Sequence, residues 1–213
     1  MSLYGLIIGI SLVVGINYFS SHNHLLSKKQ EALFVYPLII FSIIGARIYH
    51  VIDQWSYYSQ HIYAIAQTWN GGLAIYGGLI GGGLYIALFS LISKLSFISI
   101  LDIITPIVPL CQAIGRFGNF FNHEISIWWL ESLLCLILYF IIKKFKHRFS
   151  STGIYFLGYG LIRFTTEFFR TDTWQITHIK IAQIISIMLI LCGLLILTKH
   201  DHQKCQITQN HLQ

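Results

Sequence analysis

The chain has 213 residues, 55% of them hydrophobic and only 10% charged, with a mean hydropathy of +0.65. Soluble domains carry about 25% charged residues, so this composition excludes an ordinary soluble domain and indicates an integral membrane protein. The net charge of +6 does not indicate a nucleic-acid partner, because the lysines sit in short segments between apolar runs.

The N-terminal run MSLYGLIIGISLVVGINYF has no basic leader and no small-residue cleavage site, so it reads as a retained first span. Spans need about 20 mostly apolar residues. The sequence predicts an all-α polytopic membrane protein, one integral domain over 1–213, with seven spans at roughly 3–19, 32–52, 72–92, 99–120, 126–142, 153–169 and 179–198. Alternate connections hold Lys28, Lys29, Lys94, Lys143, Lys144, Lys146, Arg148, Lys199 and Lys204, nine of the fourteen basic residues. The positive-inside rule then predicts the N-terminus outside and the C-terminus inside. The polar tail KHDHQKCQITQNHLQ reads as a frayed cytoplasmic end. Cys111, Cys135, Cys192 and Cys205 show no CxxC spacing, and three lie in apolar runs. They are expected to pack as small hydrophobes, with neither a disulfide nor a metal site.

The remaining basic residues are Arg47, Arg116, Arg163, Arg170 and Lys180. All fall at outer span ends or in the outer half, where the positive-inside rule disfavours them. An ionisable residue at that depth is a functional candidate, and the guanidinium fork suits phosphate or carboxylate. Arg47, at a span end, could also simply snorkel. Span direction brings further polar groups to the same leaflet: Tyr4, Tyr76, the stretch GRFGNFFNHE at 115–124, and Glu131. On span six, Tyr159, Arg163, Glu167 and Arg170 share one helical face. Arg163 and Glu167 could be a structural i,i+4 pair, and the glycines at 77, 78, 81 and 82 have the spacing of close helix packing. Arg116 with Asn119, Asn122 and Glu124 needs protein partners, water or a ligand. An arginine-bearing pocket of this kind suits an anionic lipid headgroup, where it could hold a phosphodiester and stabilise charge developing on it.

At these residues the sequence resembles the bacterial prolipoprotein diacylglyceryl transferases. GRFGNFFNHE is similar to the family signature Gly-Arg-x-Gly-Asn-Phe-x-Asn-x-Glu. YGL at 4–6, GARIYHVI at 45–52, WNGGLAIYGGLIGG at 69–82, GYGLIRFTTEFFR at 158–170 and AQIIS at 182–186 follow in the family's order. The resemblance implies transfer of the diacylglyceryl group of phosphatidylglycerol to the lipobox cysteine of a prolipoprotein, releasing glycerol phosphate, at the outer leaflet of the bacterial plasma membrane and without metal or organic cofactor. It also implies catalytic roles for Arg116, Arg163, Tyr76 and Glu124. Lipid-binding roles would fall to Arg116, Arg163, Asn119, Tyr4, Arg170, Glu167 and Asn122.

The sequence departs from the family in three ways. Tyr76 stands where many members have His, so the base is Tyr76, His123, a carboxylate, or none if the substrate thiol ionises unaided. The segment Pro-Ser-Gln-x-Tyr-Glu is reduced to SIWWLE, ending in Glu131. A long outer insertion is absent, since Glu124 and Glu131 are seven residues apart. The competing expectations are a divergent member with another substrate and a non-catalytic protein that binds anionic lipid. A transporter is a third, with Asp102 as its only inner-half acid.

Overall fold

The computed structural model describes residues 3–121, 127–170, 175–176 and 179–210, without the side chains of residues 4, 175–176, 179 and 200–210. The regular structure of the described residues is helical apart from one two-residue antiparallel ladder. Helices α1 (Leu3–His22), α2 (Lys28–Asp53), α3 (Trp55–Tyr58), α4 (Ile75–Ser93), α5 (Phe97–Ile104), α6 (Val108–Phe121), α7 (Trp128–Phe145), α8 (Ser151–Thr166) and α9 (Ile181–Asn210) follow in chain order. The ladder pairs β1 (Gln175–Ile176) with β2 (Ile179–Lys180), immediately before α9.

Among the described residues, five stretches are long and apolar enough to cross a membrane: Gly5–His22, Lys28–Asp53, Ile75–Ser93, Phe97–Phe121 and Ile181–Lys199. The protein is an all-α multi-pass membrane protein. The other two stretches expected to span correspond to α7 and α8. Their shortfall is informative, because α7 carries Glu131, Lys143 and Lys144, and α8 has 16 residues and carries Arg163. Glu131 and Arg163 are turned toward the protein, whereas Lys143 and Lys144 are exposed in the last turn of α7.

Local chemistry sets the helix ends. α2 starts four residues before the sequence-predicted span because Ser27 and Gln30 form a capping box. The 97–121 span is interrupted by a 3₁₀ turn at Thr105–Ile107, where Pro106 lacks the N–H needed to continue the α-helical ladder. α8 starts on a polar hub. Ser150 caps Gly153 N–H, and Asp102 Oδ1 accepts from Ser150 Oγ at 2.8 Å and from both the N–H and hydroxyl of Thr152 at 2.7 Å. Asp102 is thus occupied in capping a helix, which removes the one acid a transporter reading had available. The backbone stays helical to Asn210, a correction to the frayed tail expected there.

The chain forms two compact units, residues 23–100 and residues 1–22 with 101–213. In the first, α2 and α4 touch backbone to backbone. A Cβ on Gly81 would lie 3.1 Å from Gly45 Cα, and one on Gly77 would lie 2.5 Å from Tyr49 Cβ, so the glycine spacing serves close packing. In the second unit, α6 lies against α1 and α7, and α8 lies between α7 and α9. The α8–α9 contact is equally tight: a Cβ on Gly193 would sit 2.6 Å from Leu157 N. This packing fixes the rotation of α8, and so the direction its arginine faces.

Candidate active site

In the larger unit, three guanidinium groups converge on two carboxylates. Glu131, from the first turn of α7, is the hub. Its Oε2 lies 2.8 Å from Arg116 Nε on α6, and its Oε1 accepts from Arg163 Nη1 on α8 at 3.1 Å. Arg170 Nη1 stands 3.8 Å from the same Oε1. Arg163 also donates through Nη2 to Glu167 Oε2, one turn further along its own helix, at 3.2 Å. The two carboxylates are sealed, with side-chain exposures of 1% and 0%, whereas the three arginines keep 17–20%. The acids therefore lie behind the arginines, and the arginines line whatever opening exists.

Neighbouring bonds hold this geometry. Ser132, next to Glu131, donates to Ala113 O at 2.9 Å and so pins α7 to α6 opposite Arg116. Lys180, at the head of α9, donates through Nζ to Glu167 O at 2.6 Å and to Arg170 O. A lysine on the last carbonyls of a helix satisfies acceptors that have no intrahelical partner, here at the 3₁₀ turn Glu167–Phe169.

The cluster is short of anions. Three guanidinium charges against two carboxylate charges leave one positive charge in excess among the described residues. Arg116 engages the hub through Nε by distance only, since Glu131 Oε2 has no aligned hydrogen bond. Glu167 Oε1 is also buried without a hydrogen-bond partner among the described residues. Arginine N–H groups thus remain for a further anion, and a phosphate with several acceptor oxygens matches their fork geometry.

Other sequence-predicted residues fall as follows. Asn119 is buried on α6, three residues beyond Arg116. Asn122, His123 and Glu124 lie outside the described residues, as does the side chain of Tyr4 on α1. Tyr76 is on the first turn of α4 in the smaller unit, 43% exposed, with its ring 6.3 Å from that of Tyr49. Arg47, in that unit too, neither snorkels nor faces a ligand. It is buried and donates to five carbonyls: Nε to Ile65, Nη1 to Gly71 and Gly72, Nη2 to Ala64 and Gln67, at 2.6–3.3 Å. Tyr58 lies under the guanidinium at 5.3 Å. A guanidinium has five N–H donors, so Arg47 has none left for phosphate. Gly72, at φ +72°, permits this cradle, since a Cβ there would meet Arg47 Nη1 at 2.6 Å.

The sequence reading did not assign Glu131 or Lys180 to the site. Glu131 carried a signal, because it ends the SIWWLE segment that stands in the place of a family motif. Lys180 stood out only as a basic residue at an outer span end, and its main-chain carbonyl partners leave no mark in the sequence.

The sequence profile of the prolipoprotein diacylglyceryl transferases matches residues 1–129 and 126–199. The chain belongs to this family. Among its relatives, the phosphatidylglycerol–prolipoprotein diacylglyceryl transferase of Staphylococcus haemolyticus (strain JCSC1435) is 34% identical over 91% of this chain and 82% of that protein. The enzyme of the same description from Streptococcus pyogenes serotype M5 (strain Manfredo) is 35% identical over 94% of this chain and 91% of that protein. Both profile matches fall across the cluster, since Arg116 lies in the first and Glu131, Arg163, Glu167, Arg170 and Lys180 in the second.

Proposed function

We propose that this chain transfers the diacylglyceryl group of phosphatidylglycerol to the lipobox cysteine of prolipoproteins, at the outer leaflet of the bacterial plasma membrane. The observation that carries this reading is the anion-deficient arginine cluster, in a chain of a family whose named members are phosphatidylglycerol–prolipoprotein diacylglyceryl transferases.

The chemistry suits such a site. The cysteine sulfur attacks the glycerol carbon that bears the phosphate. A C–S bond forms, the C–O bond to phosphate breaks, and the bonding pair leaves with the phosphate oxygen. The phosphodiester starts with one negative charge and departs as a phosphate monoester with two, while the thiol proton passes to a base or to solvent. Charge therefore grows on the phosphate as the reaction proceeds. Arg116 and Arg163, bridged by Glu131, would bind that group more strongly as it gains charge, which lowers the barrier rather than only the dissociation constant. Arg170 adds a third positive charge beside them, and Glu167 fixes the orientation of Arg163. Asn119 and Tyr4 are assigned to the lipid, and Glu124 and Tyr76 to the thiol end of the reaction. The seven-span topology with N-terminus outside and C-terminus inside belongs to the same reading, because it puts these residues in the leaflet from which a translocated prolipoprotein is reached.

The test uses detergent-purified protein, phosphatidylglycerol vesicles and a lipobox peptide. The expected result is a peptide mass raised by one diacylglyceryl group, stoichiometric release of glycerol phosphate, and no change in a peptide with Ser in place of Cys. No mass gain, under conditions where the Staphylococcus haemolyticus relative modifies the same peptide, overturns the reading and favours an anionic-lipid-binding protein. A cytoplasmic reporter fused after Gln213 should be active; activity of an extracytoplasmic reporter there would invert the topology.

A further inference from the structure

Below the arginines the site continues as a polar column. Gln112 precedes Arg116 by one helical turn on α6, about 6 Å nearer the middle of the 97–121 span. On α8, Tyr159 precedes Arg163 by one turn and Tyr155 by two. The two tyrosine rings stack, with centroids 5.4 Å apart and planes at 9°. Gln112 Nε2 donates to the Tyr155 hydroxyl at 2.8 Å, joining α6 to α8. Gln112 Oε1 is buried and has no hydrogen-bond partner among the described residues. A tie between helices needs one polar atom from each side, so the amide carries one polar atom more than a tie uses.

The amide can also turn end for end, which exchanges its oxygen and nitrogen. In that state Tyr155 donates to Gln112 Oε1, and the Nε2 hydrogens are left over. The amide brings two hydrogens and the phenol one, and their mutual bond uses one, so in both states the pair holds two hydrogens not used within itself. It is therefore a donor to something that enters from the arginine side and only accepts. In a glycerophospholipid the polar groups next to the phosphate, on its hydrocarbon side, are the ester carbonyls of the two acyl chains. They accept and cannot donate, and the headgroup glycerol lies on the opposite, watery side.

We propose that Gln112 and Tyr155 form a subsite for an acyl-ester carbonyl of the lipid whose phosphate Arg116 and Arg163 hold. This rests on the transferase reading above and deepens it, because it makes the protein read the ester linkage as well as the anionic phosphate. The turned amide leaves no buried acceptor without a partner once the carbonyl is in place, and Tyr159 packs between the two subsites. The esters themselves do not react. Their carbonyls set the depth of the lipid, and with it the position of the carbon under attack.

The test compares phosphatidylglycerol with its ether-linked counterpart, which has the same headgroup and chains but no carbonyls. The unmodified protein should use the ester lipid with a kcat/KM about tenfold higher, the size of one hydrogen bond. A Gln112→Leu, Tyr155→Phe double variant keeps the volume and removes the polar atoms. It should lose about tenfold on the ester lipid, treat both lipids alike, and melt no lower than the unmodified protein, since the buried amide is gone. A double variant that retains full rate and the original ester preference overturns the proposal and leaves the pair as a helix tie or water site. An unmodified protein indifferent to the linkage also overturns it, and that measurement does not depend on whether the variant accumulates. Failure of the transferase reading looks different. The unmodified protein would then transfer from neither lipid while a relative does, and the subsite would fall with it.

Discussion

Arg47 and Arg163 look alike in the sequence: each is an arginine near the end of an apolar helix. Their surroundings are opposite. Arg47 faces five main-chain carbonyls in one short stretch, all neutral and all accepting. Arg163 faces two carboxylates, and one of them, Glu131, it shares with two further arginines. Carbonyl oxygens from 3₁₀ turns saturate a guanidinium and fix a loop. Shared carboxylates hold several guanidinium groups close together without saturating any, which leaves a site that still attracts an anion. Charge at membrane depth therefore indicates function only when its partners are fewer than its donors.

Four predictions would break or sharpen this contrast. Glu131→Gln should have the largest effect. It keeps the shape but leaves three guanidinium groups facing one carboxylate among the described residues, and removing one partner of a buried pair costs about 3–5 kcal/mol. Melting temperature and monodisperse yield in detergent should both fall sharply; an unchanged melting curve would mean that the hub does not hold α6, α7 and α8 together.

Arg116→Lys and Arg163→Lys come next. Each keeps the charge and loses the fork, so each should insert normally yet transfer diacylglycerol about 30- to 1,000-fold more slowly, corresponding to about 2–4 kcal/mol of transition-state stabilisation. Lysine variants that modify the peptide at the unmutated rate would show that the phosphate is held elsewhere.

Arg47→Lys should behave differently. Two of the five donors vanish and the rigid geometry goes, so stability should fall by about 1–3 kcal/mol, with faster proteolysis within 62–72. Transfer per folded molecule should stay within a few-fold of normal. A loss of rate as large as that of Arg163→Lys, at unchanged stability, would erase the distinction between the two arginines.

The smallest effect is expected at Tyr76. Tyr76→Ala should slow transfer about tenfold, the loss of one hydrogen bond, and Tyr76→His should retain activity. Full activity in the alanine variant would show that this position contributes neither a base nor an essential hydrogen bond.

Much of the architecture could be read from the sequence because membrane burial acts on whole segments. Apolar length located α1, α2, α4, the 97–121 span and α9, and the GRFGNFFNHE stretch located Arg116, since composition and short motifs are properties of contiguous residues. α7 and α8 were located too, although their charges blur them as spans. The exact ends were less legible: the capping box at Ser27 and the 3₁₀ turn at Thr105–Ile107 depend on hydrogen bonds that hydropathy does not register.

By itself, the sequence determined that the chain belongs in a membrane, which stretches are helical, and which arginines sit near helix ends. Only the tertiary structure decided what each arginine does. Arg163 and Glu167 are one turn apart, so the helical repeat alone brings them together. Glu131 meets Arg116 and Arg163 from 15 and 32 residues away, and it does so only because glycine packing of α8 on α9 and the Ser132 bond of α7 to α6 set the rotation of those helices. Arg47 is saturated only because Gly71 and Gly72 take positive φ and let the loop carbonyls fold over it. The partners of a charge are a matter of helix rotation and loop path, and those are fixed by packing between segments rather than by the order of residues within one.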